Sequence, residues 1–225
     1  MRDGRWRASR DSDRLSPTSI MIADLQIVAY QRMIEGYACG DLLDLGCGQA
    51  PLYGVYRDKI ASATCVDWPN SLHPNQHLDL AADLTQPIPL YSDEFDTILL
   101  SDVLEHIPVP DQVMSEVARL LRPGGHALIG VPFIYGIHEA PHDFHRYTEF
   151  RLRQLCQDHG LRVLELWTYG DAVHALLDMT IKYVGGRIPG DWFTRALTVI
   201  GLWHTPRAAS KTPLGYALVA AKPSA

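Results

Sequence analysis

The most constraining feature of the sequence is the alternation of short apolar runs with helical stretches between residues 42 and 168. Six of the apolar runs are candidate strands: Leu42–Leu45, Ala63–Val66, Leu78–Leu80, Thr97–Leu100, Ala127–Val131 and Arg162–Trp167. Strands that alternate with helices are typical of βα units, whose strands lie parallel in one sheet. The pattern therefore predicts an α/β fold with helices on both faces of a mostly parallel sheet.

Capping residues and turn residues mark the predicted helices. Ser16 and Pro17 are typical of an N-cap and a first helical position, and apolar residues then recur at helical spacing as far as Tyr37. A second helix is predicted to begin near Pro110 and to stop at the Arg-Pro-Gly-Gly sequence of residues 122–125. A third helix is predicted to follow Thr148 as its N-cap.

A chain of 225 residues that is 47% hydrophobic can bury one substantial core. We expect this core in residues 16–170, completed by a final strand in residues 213–225. Residues 1–15 are rich in arginine and aspartate and predict a disordered tail. Residues 171–212 break the βα rhythm and predict a helical insertion. Its role is open between packing over the sheet edge, a lid over a hydrophobic or lipid-linked acceptor, and a homodimer contact.

Charge and composition exclude several classes of protein. The net charge of −6 removes the attraction to phosphate backbones on which nucleic-acid binding depends. The four cysteines form no Cys-x-x-Cys pair, which argues against a zinc knuckle or a disulfide framework and favours a reducing cytoplasm. No apolar run approaches the roughly 18 residues of a spanning helix. We therefore expect a cytoplasmic protein with, at most, peripheral membrane contact.

The first candidate binding motif is the apolar run that ends in Asp44-Leu45-Gly46-Cys47-Gly48. Glycines at such a strand end let a ligand approach the backbone more closely than a Cβ would permit, and they accept positive φ angles. An ordinary tight βα turn explains Gly46 and Gly48 equally well when the motif is taken alone.

Two acidic residues follow at informative positions. Asp67 ends the second predicted strand, about twenty residues after the glycine turn, where a carboxylate can accept hydrogen bonds from both hydroxyls of a ribose. Asp83, followed by Leu84, could accept from the amino group of an adenine. Each aspartate could instead be a solvated turn residue. Their order along the chain favours an adenosine-containing ligand.

Five segments in sequence order resemble the motifs of class I S-adenosylmethionine-dependent methyltransferases: LLDLGCG, CVD, AADLTQPIPL, EFDTILLSDVLEHI and EVARLLRPGGHALIGVP. The resemblance covers about residues 41–168. It implies a Rossmann-like sheet of seven strands, with residues 216–221 as an antiparallel strand between the fifth and the sixth, and S-adenosylmethionine as the cofactor. The residues that match the family's binding positions are Asp44, Gly46, Gly48, Asp67, Asp83 and Leu84, with Ser101 and Asp102 beside the methyl donor.

A dinucleotide-dependent dehydrogenase is the natural competing hypothesis, because it also uses a glycine turn and an acid after the second strand. Here Pro51 follows the turn where the third glycine of the dinucleotide fingerprint would allow close helix packing. The sequence therefore favours the methyltransferase over the dehydrogenase.

A second group of polar residues occupies positions 137–148, just beyond the fifth predicted strand, at the sheet edge where ligands of open α/β folds bind. Methyl transfer needs alignment of donor and acceptor and removal of a proton, a task that suits a histidine. His142 is the first candidate for the general base and His138 the second, with Asp143 and Tyr147 as further catalytic candidates. Asp143 could instead form an anchoring bridge with Arg146.

The same loop leaves two questions open. Its histidines, together with Glu139, could bind a divalent metal, although the site is predicted to hold none because carboxylates are few here. Similar segments occur in bacterial family members of polysaccharide and glycolipid pathways, which suggests a sugar or glycolipid acceptor. Two functions thus compete: transfer of a methyl group to an oxygen or nitrogen of a small molecule, and a non-catalytic scaffold that binds S-adenosylmethionine.

Overall fold

Seven strands form one sheet in a computed structural model that describes residues 6–70, 76–185, 187, 192–206 and 210–224. The strands are β1 (Asp41–Leu45), β2 (Ser62–Asp67), β3 (Leu80–Ala81), β4 (Phe95–Ser101), β5 (Leu121–Pro132), β6 (Arg162–Tyr169) and β7 (Gly215–Ala221). Their order in the sheet is β3-β2-β1-β4-β5-β7-β6. Only β7 runs antiparallel to its neighbours β5 and β6. The predicted α/β class and seven-stranded sheet are confirmed.

The described residues form six α-helices: α1 (Ile20–Tyr37), α2 (Tyr53–Tyr56), α3 (Pro110–Leu120), α4 (Glu149–Asp158), α5 (Ala172–Val184) and α6 (Trp192–Trp203). Single 3-10 turns precede α1 at Pro17–Ser19 and follow β4 at Leu104–His106. The predicted cap of α4 is present, since the Thr148 hydroxyl accepts from the Arg151 N–H. The short α2 and the turn after β4 were not anticipated from the sequence.

Neighbouring residues of each central strand point to opposite faces of the sheet, as strand geometry requires. In β4, Ile98 and Leu100 pack in the core beneath α3 and α4, whereas Leu99 packs in the core beneath α1 and α2. Burial on both faces explains why these strands read as continuous apolar runs. The sheet is therefore a central layer between two helical layers.

The Arg-Pro-Gly-Gly segment corrects one predicted boundary. Helix α3 ends at Leu120, and residues 121–125 already belong to β5. Arg122 holds this extended segment against the sheet, because its guanidinium group forms ion pairs with Asp41 of β1 and Asp96 of β4. The pairing of β4 with β5 shifts register between Phe95 and Thr97, which pair with Leu121 and His126, so that β5 accommodates three extra residues there.

Residues 6–15 contact α1, while the rest of the predicted tail, residues 1–5, lies outside the described residues. The Trp6 N–H donates to Gln31, the Ala8 N–H donates to Asp24, and Arg10 pairs with the Asp24 carboxylate. These contacts join the charged segment to α1 through one buried aspartate.

Helices α5 and α6 lie between β6 and β7, in the predicted insertion, whose residues 186, 188–191 and 207–209 are outside the described part of the chain. Asp171 caps α5 by accepting from the N–H groups of Val173 and His174. It also contacts the His174 ring at 2.9 Å and the His204 ring at 2.8 Å, which connects the start of α5 with the end of α6. No described helix is long and apolar enough to cross a membrane.

Candidate active site

The parallel strands β1 to β5 present their carboxyl ends at one edge of the sheet, where ligands of this architecture bind. Backbone hydrogen bonds join the chain at these ends. The Gly46 and Cys47 N–H groups donate to the Val66 carbonyl at 2.8 and 3.0 Å, and the Ala82 N–H donates to the Asp67 carbonyl at 2.9 Å. The residues predicted from the glycine turn and from the ends of β2 and β3 are thus brought to one edge.

The two glycines after β1 have different structural reasons. Gly46 has a φ of 76°, and a Cβ at this position would lie 2.6 Å from a methyl group of Val103. Gly48 also has a positive φ, 52°, but a Cβ there would meet nothing within 4 Å. Gly46 is therefore required by packing, whereas Gly48 borders open space above the turn.

Asp44 lies in β1 directly beneath this turn and is 1% exposed. One carboxyl oxygen, Oδ2, accepts a hydrogen bond of 2.8 Å from the Tyr56 hydroxyl. The other, Oδ1, is buried and accepts no hydrogen bond from the described residues. Burial raises the pKa of Asp44 to about 7, against the opposing effect of the Tyr56 hydroxyl. A buried acceptor without a partner is costly in the free protein.

The predicted adenosine-binding residues follow β2 and β3. Asp67 is the last residue of β2 and is half-buried. Asp83 is exposed, and its Oδ1 accepts from the Thr85 N–H at 2.9 Å and from the Thr85 hydroxyl at 2.8 Å. Leu84 is buried in the core beneath α3. Asp83 is thus held in a local turn that fixes the direction of its carboxylate.

Ser101 and Asp102 end β4 at the same edge. Ser101 pairs with Gly130 of β5, and Asp102 has an uncommon positive φ of 56°. The Asp102 carboxylate accepts from the Gln26 amide at 2.7 and 2.8 Å and from the Tyr30 hydroxyl at 2.9 Å. Desolvation raises the pKa of Asp102 to about 6, and these two donors oppose the shift.

Glu105 is the central group of a cluster just after β4. Its side chain is fully buried, and neither carboxyl oxygen accepts a hydrogen bond from the described residues. The Oε1 atom lies 3.9 Å from Nε2 of His106 and 3.9 Å from Nε2 of His138. Burial, and next the charge of Asp102, raise the pKa of Glu105 well above its ordinary value.

The backbone fixes the tautomer of His106. Its Nδ1 lies 2.6 Å from the carbonyl oxygen of His142, and a carbonyl can only accept. Nδ1 must therefore carry the proton, so that the neutral ring has its lone pair on Nε2. That nitrogen faces the carboxylates of Glu105 at 3.9 Å and Glu139 at 4.0 Å. His106 is consequently held in a form that can accept a proton.

The two histidines predicted as bases occupy different environments. His138 is half-buried between Glu105 and Asp143, and burial followed by the proximity of His106 lowers its pKa, which favours the neutral ring. His142 is exposed, and its ring lies 5.3 Å from the ring of Trp68, which follows β2. His138 thus faces the buried acid, and His142 lies at the rim between the loops after β2 and β5.

Asp143 and Tyr147 hold the loop in place. Asp143 accepts two hydrogen bonds from Arg146, at 2.6 and 2.8 Å, and one from the His138 N–H at 2.9 Å. The Arg146 guanidinium group keeps the pKa of Asp143 well below its usual range. Tyr147 is 3% exposed and donates to the Leu104 carbonyl at 2.8 Å. Both contacts have the geometry of anchors, which the sequence offered as the alternative for Asp143.

Two groups of side chains have ligand atoms within 4.8 Å of one another, as a metal site would require. One is Glu105, His106 and His138 at the strand ends, and the other is Asp171, His174 and His204 between α5 and α6. The first group shares only His138 with the set of loop residues considered from the sequence, although the Glu139 carboxylate lies 4.0 Å from Nε2 of His106.

Sequence reasoning missed Glu105 and the two residues of α1 that bind Asp102. An acid and a histidine directly after a strand that ends at the ligand edge are a usable signal for Glu105 and His106. Gln26 and Tyr30 are four residues apart on one face of α1, which the sequence indicated only as a packing face. Their role depends on a contact with a residue more than seventy positions away.

A family model described as a methyltransferase domain matches residues 29–166, more than half of the chain. The chain belongs to the methyltransferase-domain family. The resemblance of its motifs to class I S-adenosylmethionine-dependent methyltransferases is thereby confirmed, and S-adenosylmethionine is the cofactor of this family.

Curated relatives of this methyltransferase-family chain are distant in sequence. The ubiquinone biosynthesis O-methyltransferase of Coxiella burnetii is 25% identical over 153 residues, which cover 56% of this chain and 64% of the relative. The matched region therefore spans less than two thirds of that relative's length.

Solved structures support the fold. A phosphoethanolamine N-methyltransferase from Haemonchus contortus, in complex with S-adenosyl-L-methionine, has a TM-score of 0.61 at 13% identity and covers 95% of this chain and 58% of that chain. A [4+2]-cyclase has a TM-score of 0.62 at 15% identity, with 98% and 88% coverage. Because a cyclase and a methyltransferase match equally well, these likenesses establish the architecture and leave the reaction to be argued from the site.

The strand ends of this methyltransferase-family chain fit the cofactor of the family. Gly48 borders open space that a side chain would reduce, and the unpartnered Oδ1 of Asp44 lies beneath the same turn. Asp67 stands at the end of the neighbouring strand, where ribose hydroxyls can be bound. The arrangement offers acceptors at two points, with a glycine floor between them.

Proposed function

We propose that this chain transfers a methyl group from S-adenosylmethionine to an oxygen or nitrogen of a small molecule. The observation that carries the proposal is the cluster beside the predicted cofactor site, in which buried Glu105 lies 3.9 Å from two imidazoles. A scaffold without catalysis has no need of such a group, because burying an acid without hydrogen-bond partners is costly. Such buried acids occur in enzymes at sites where a proton is transferred.

The cofactor, when bound, supplies a methyl group attached to a sulfonium sulfur, and the thioether that remains is a good leaving group. The part left to the protein is to orient the acceptor and to take its proton. The cofactor would supply the methyl group and would leave as a neutral thioether, and an imidazole of this chain would take the proton of the acceptor oxygen. His106 is the favoured base, since its Nδ1 donates to the backbone and leaves Nε2 as the acceptor.

His138 and His142 remain candidates for the base. His138 shares Glu105 with His106, and the two rings are 4.7 Å apart, so they can act as one proton-accepting unit. His142, the first choice from the sequence, supplies the carbonyl that fixes His106 and lies at the rim beside Trp68. We propose His106 and His138 first for proton removal and His142 first for acceptor contact, with His142 as the alternative base.

We use the curated relatives to propose the chemical class of the methyl acceptor. The curated relative from Coxiella burnetii is named an O-methyltransferase, which favours an oxygen nucleophile. An alcohol or phenol also needs a base more than an amine does, in keeping with the histidine cluster. Phenols and sugar hydroxyls, the latter suggested by the loop sequence, are the first acceptors to test.

The test measures turnover and cofactor affinity in parallel for three single variants. His106→Asn and His138→Ala should each lower kcat by about 100-fold or more, the usual contribution of a general base. Affinity for S-adenosylhomocysteine, measured by calorimetry, should change less than a few-fold. His142→Ala should raise KM for the acceptor more than it lowers kcat, because it alters binding and not proton transfer.

Tyr147→Phe provides the comparison for loop anchoring. The substitution removes the shorter of two hydrogen bonds to the Leu104 carbonyl, which keeps the Ile107 N–H at 3.4 Å, and should cost about 1 kcal/mol of stability, with turnover within a few-fold of wild type. Turnover that depends on the Tyr147 hydroxyl would support its catalytic role. Full activity of His106→Asn and His138→Ala, with the cofactor still bound, would move the base elsewhere. Loss of activity after treatment with EDTA would favour a metal-assisted reaction.

A further inference from the structure

Helices α5 and α6 form a hairpin, residues 172–203, whose exposed surface is mostly apolar. Among the described residues, nine of the 17 exposed large apolar side chains lie on it: Val173, Leu176, Met179, Tyr183, Trp192, Val199, Ile200, Leu202 and Trp203. Monomeric proteins in water rarely expose such contiguous apolar surface, and larger patches mark sites of interaction. The hairpin therefore exposes an apolar surface that is unfavourable in water.

Helix α5 buries two ionisable residues and exposes large apolar ones, unlike a typical helix on a globular surface. His174 and Asp178 are buried at 0% and 2% exposure, together with Ala175 and Ile181. Leu176, Met179 and Tyr183 lie on the opposite side and are 67%, 62% and 70% exposed. Leu176 and Tyr183 are seven residues apart, two turns along one face. The apolar face of α5 is thus turned away from the protein core.

Helix α6 also has a packed inner side and an exposed apolar outer side. Its inner side contains Gly201, where a Cβ would lie 2.2 Å from the sulfur of Met21 in α1. Its outer side carries Trp192 and Trp203, which are 67% and 84% exposed and eleven residues apart, or about 16 Å along the axis. Tryptophan is enriched where a protein meets the polar and apolar boundary of a membrane.

The apolar surface continues from α6 onto α1. A groove of about 330 Å³ between these helices is lined in part by Leu25 and Val28 of α1 and by Val199 and Leu202 of α6. Val28 is 56% exposed. The surface therefore extends over α1 of the core as well as the hairpin, more than one helix could present.

Among the described residues of the hairpin, the exposed charged side chains are cationic. The carboxylate of Asp178 is buried and paired with Lys182 at 2.7 Å, and that of Asp171, which caps α5, is also buried. Arg187, which follows α5, and Arg195 of α6 are exposed. The whole chain has a net charge of −6, so this distribution is a local reversal of sign. Such a surface is complementary to anionic headgroups above an apolar layer.

We propose that the α5–α6 hairpin docks on the surface of an anionic lipid bilayer, with its exposed apolar side chains in the headgroup region. No described helix could span the bilayer, so the hairpin lies on it. A second copy of the chain is a poorer occupant, because a two-fold contact would set the same cationic surface against itself, so that like charges would approach one another. The docking is independent of the proposed reaction.

The test is co-sedimentation of the full chain with vesicles of phosphatidylcholine alone or mixed with phosphatidylglycerol. Wild type should bind the mixed vesicles, and added salt should weaken the binding. The double variant Leu176→Ser with Trp203→Ser should bind at least about tenfold more weakly, because two exposed apolar anchors are removed. Arg187→Gln should lower binding about fivefold on the mixed vesicles alone.

Tyr91→Ser with Phe150→Ser is the matched control, since these side chains are 83% and 75% exposed and lie outside the hairpin. It should bind like wild type, and both double variants should keep their circular dichroism spectrum and their affinity for S-adenosylhomocysteine. Equal binding by the two double variants, or no binding by wild type to either vesicle, overturns the proposal. So does a dimer in analytical ultracentrifugation that the hairpin variant dissociates.

Discussion

At the scale of single residues, two acidic side chains at the strand ends, Asp44 and Glu105, are buried with oxygens that accept no hydrogen bond from the described residues, and a third, Asp102, is partly buried. Asp44 has one unpartnered oxygen, Glu105 has two, and Asp102 depends on two donors from α1. Each has a raised pKa whose first cause is desolvation. Groups that destabilise the free protein at the edge where a ligand binds are expected where function, and not folding, determines the residue.

Asp44→Asn should stabilise the free protein at alkaline pH. The folded pKa of about 7 lies above the ordinary 3.8, so folding favours the protonated acid. Stability is therefore lost as the pH rises from about 4 to 7. The amide keeps an acceptor for Tyr56 without the ionisation, so urea denaturation at pH 8 should show a gain of about 2 to 4 kcal/mol.

The gain from Asp44→Asn should shrink to about 0.5 kcal/mol at pH 4, where the folded wild-type protein holds the proton and the unfolded carboxyl, with its ordinary pKa of 3.8, is only about half ionised. Asp58→Asn, an aspartate whose side chain is 81% exposed, is the control and should change stability by less than about 0.5 kcal/mol at either pH. A gain of the same size at pH 4 and pH 8 would show that ionisation of Asp44 is not the cause.

At the scale of elements, α1 connects the helical layer with the active-site edge. Tyr30 lies against β5 at Gly130, where a Cβ would come within 2.1 Å of its ring, and its hydroxyl donates to Asp102. A residue without a side chain in β5 therefore sets the distance between α1 and the sheet. The same contact lets the Tyr30 hydroxyl donate a hydrogen bond to the Asp102 carboxylate, which follows β4.

Gly130→Ala should lower stability and cofactor affinity together. Tyr30 is 3% exposed, and its rigid ring cannot move aside without shifting α1, so we expect a loss of about 1 to 3 kcal/mol in urea denaturation. The displaced hydroxyl should also weaken binding of S-adenosylhomocysteine in calorimetry. Gly36→Ala, near the end of α1 with nothing within 4 Å, is the control and should stabilise by about 0.5 kcal/mol. Unchanged affinity in Gly130→Ala would separate α1 from the site.

At the scale of the whole molecule, the sheet could be predicted because its strands are buried on both faces and are separated by helices with recognisable caps. The glycine turn and Asp67 could be placed because their spacing follows a single βα unit. The end of α3 could not be predicted, because the extended conformation that follows it depends on ion pairs of Arg122 with residues of two other strands. Nor could the cluster of Glu105, His106 and His138, which forms only when the loop after β5 folds back over the turn after β4.

Binding of a ligand at the cofactor site should raise the thermal stability of the entire chain. A ligand that binds only the folded state at 100 times its Kd stabilises it by about 2.7 kcal/mol. For a domain of this size, each kcal/mol raises Tm by about 2 to 4 °C, so S-adenosylhomocysteine should raise Tm by about 5 to 10 °C. Asp67→Ala should need a higher ligand concentration for the same shift. NADH at the same concentration should give none, because Pro51 replaces the glycine that a dinucleotide requires; a shift with NADH and none with S-adenosylhomocysteine would restore the dehydrogenase hypothesis.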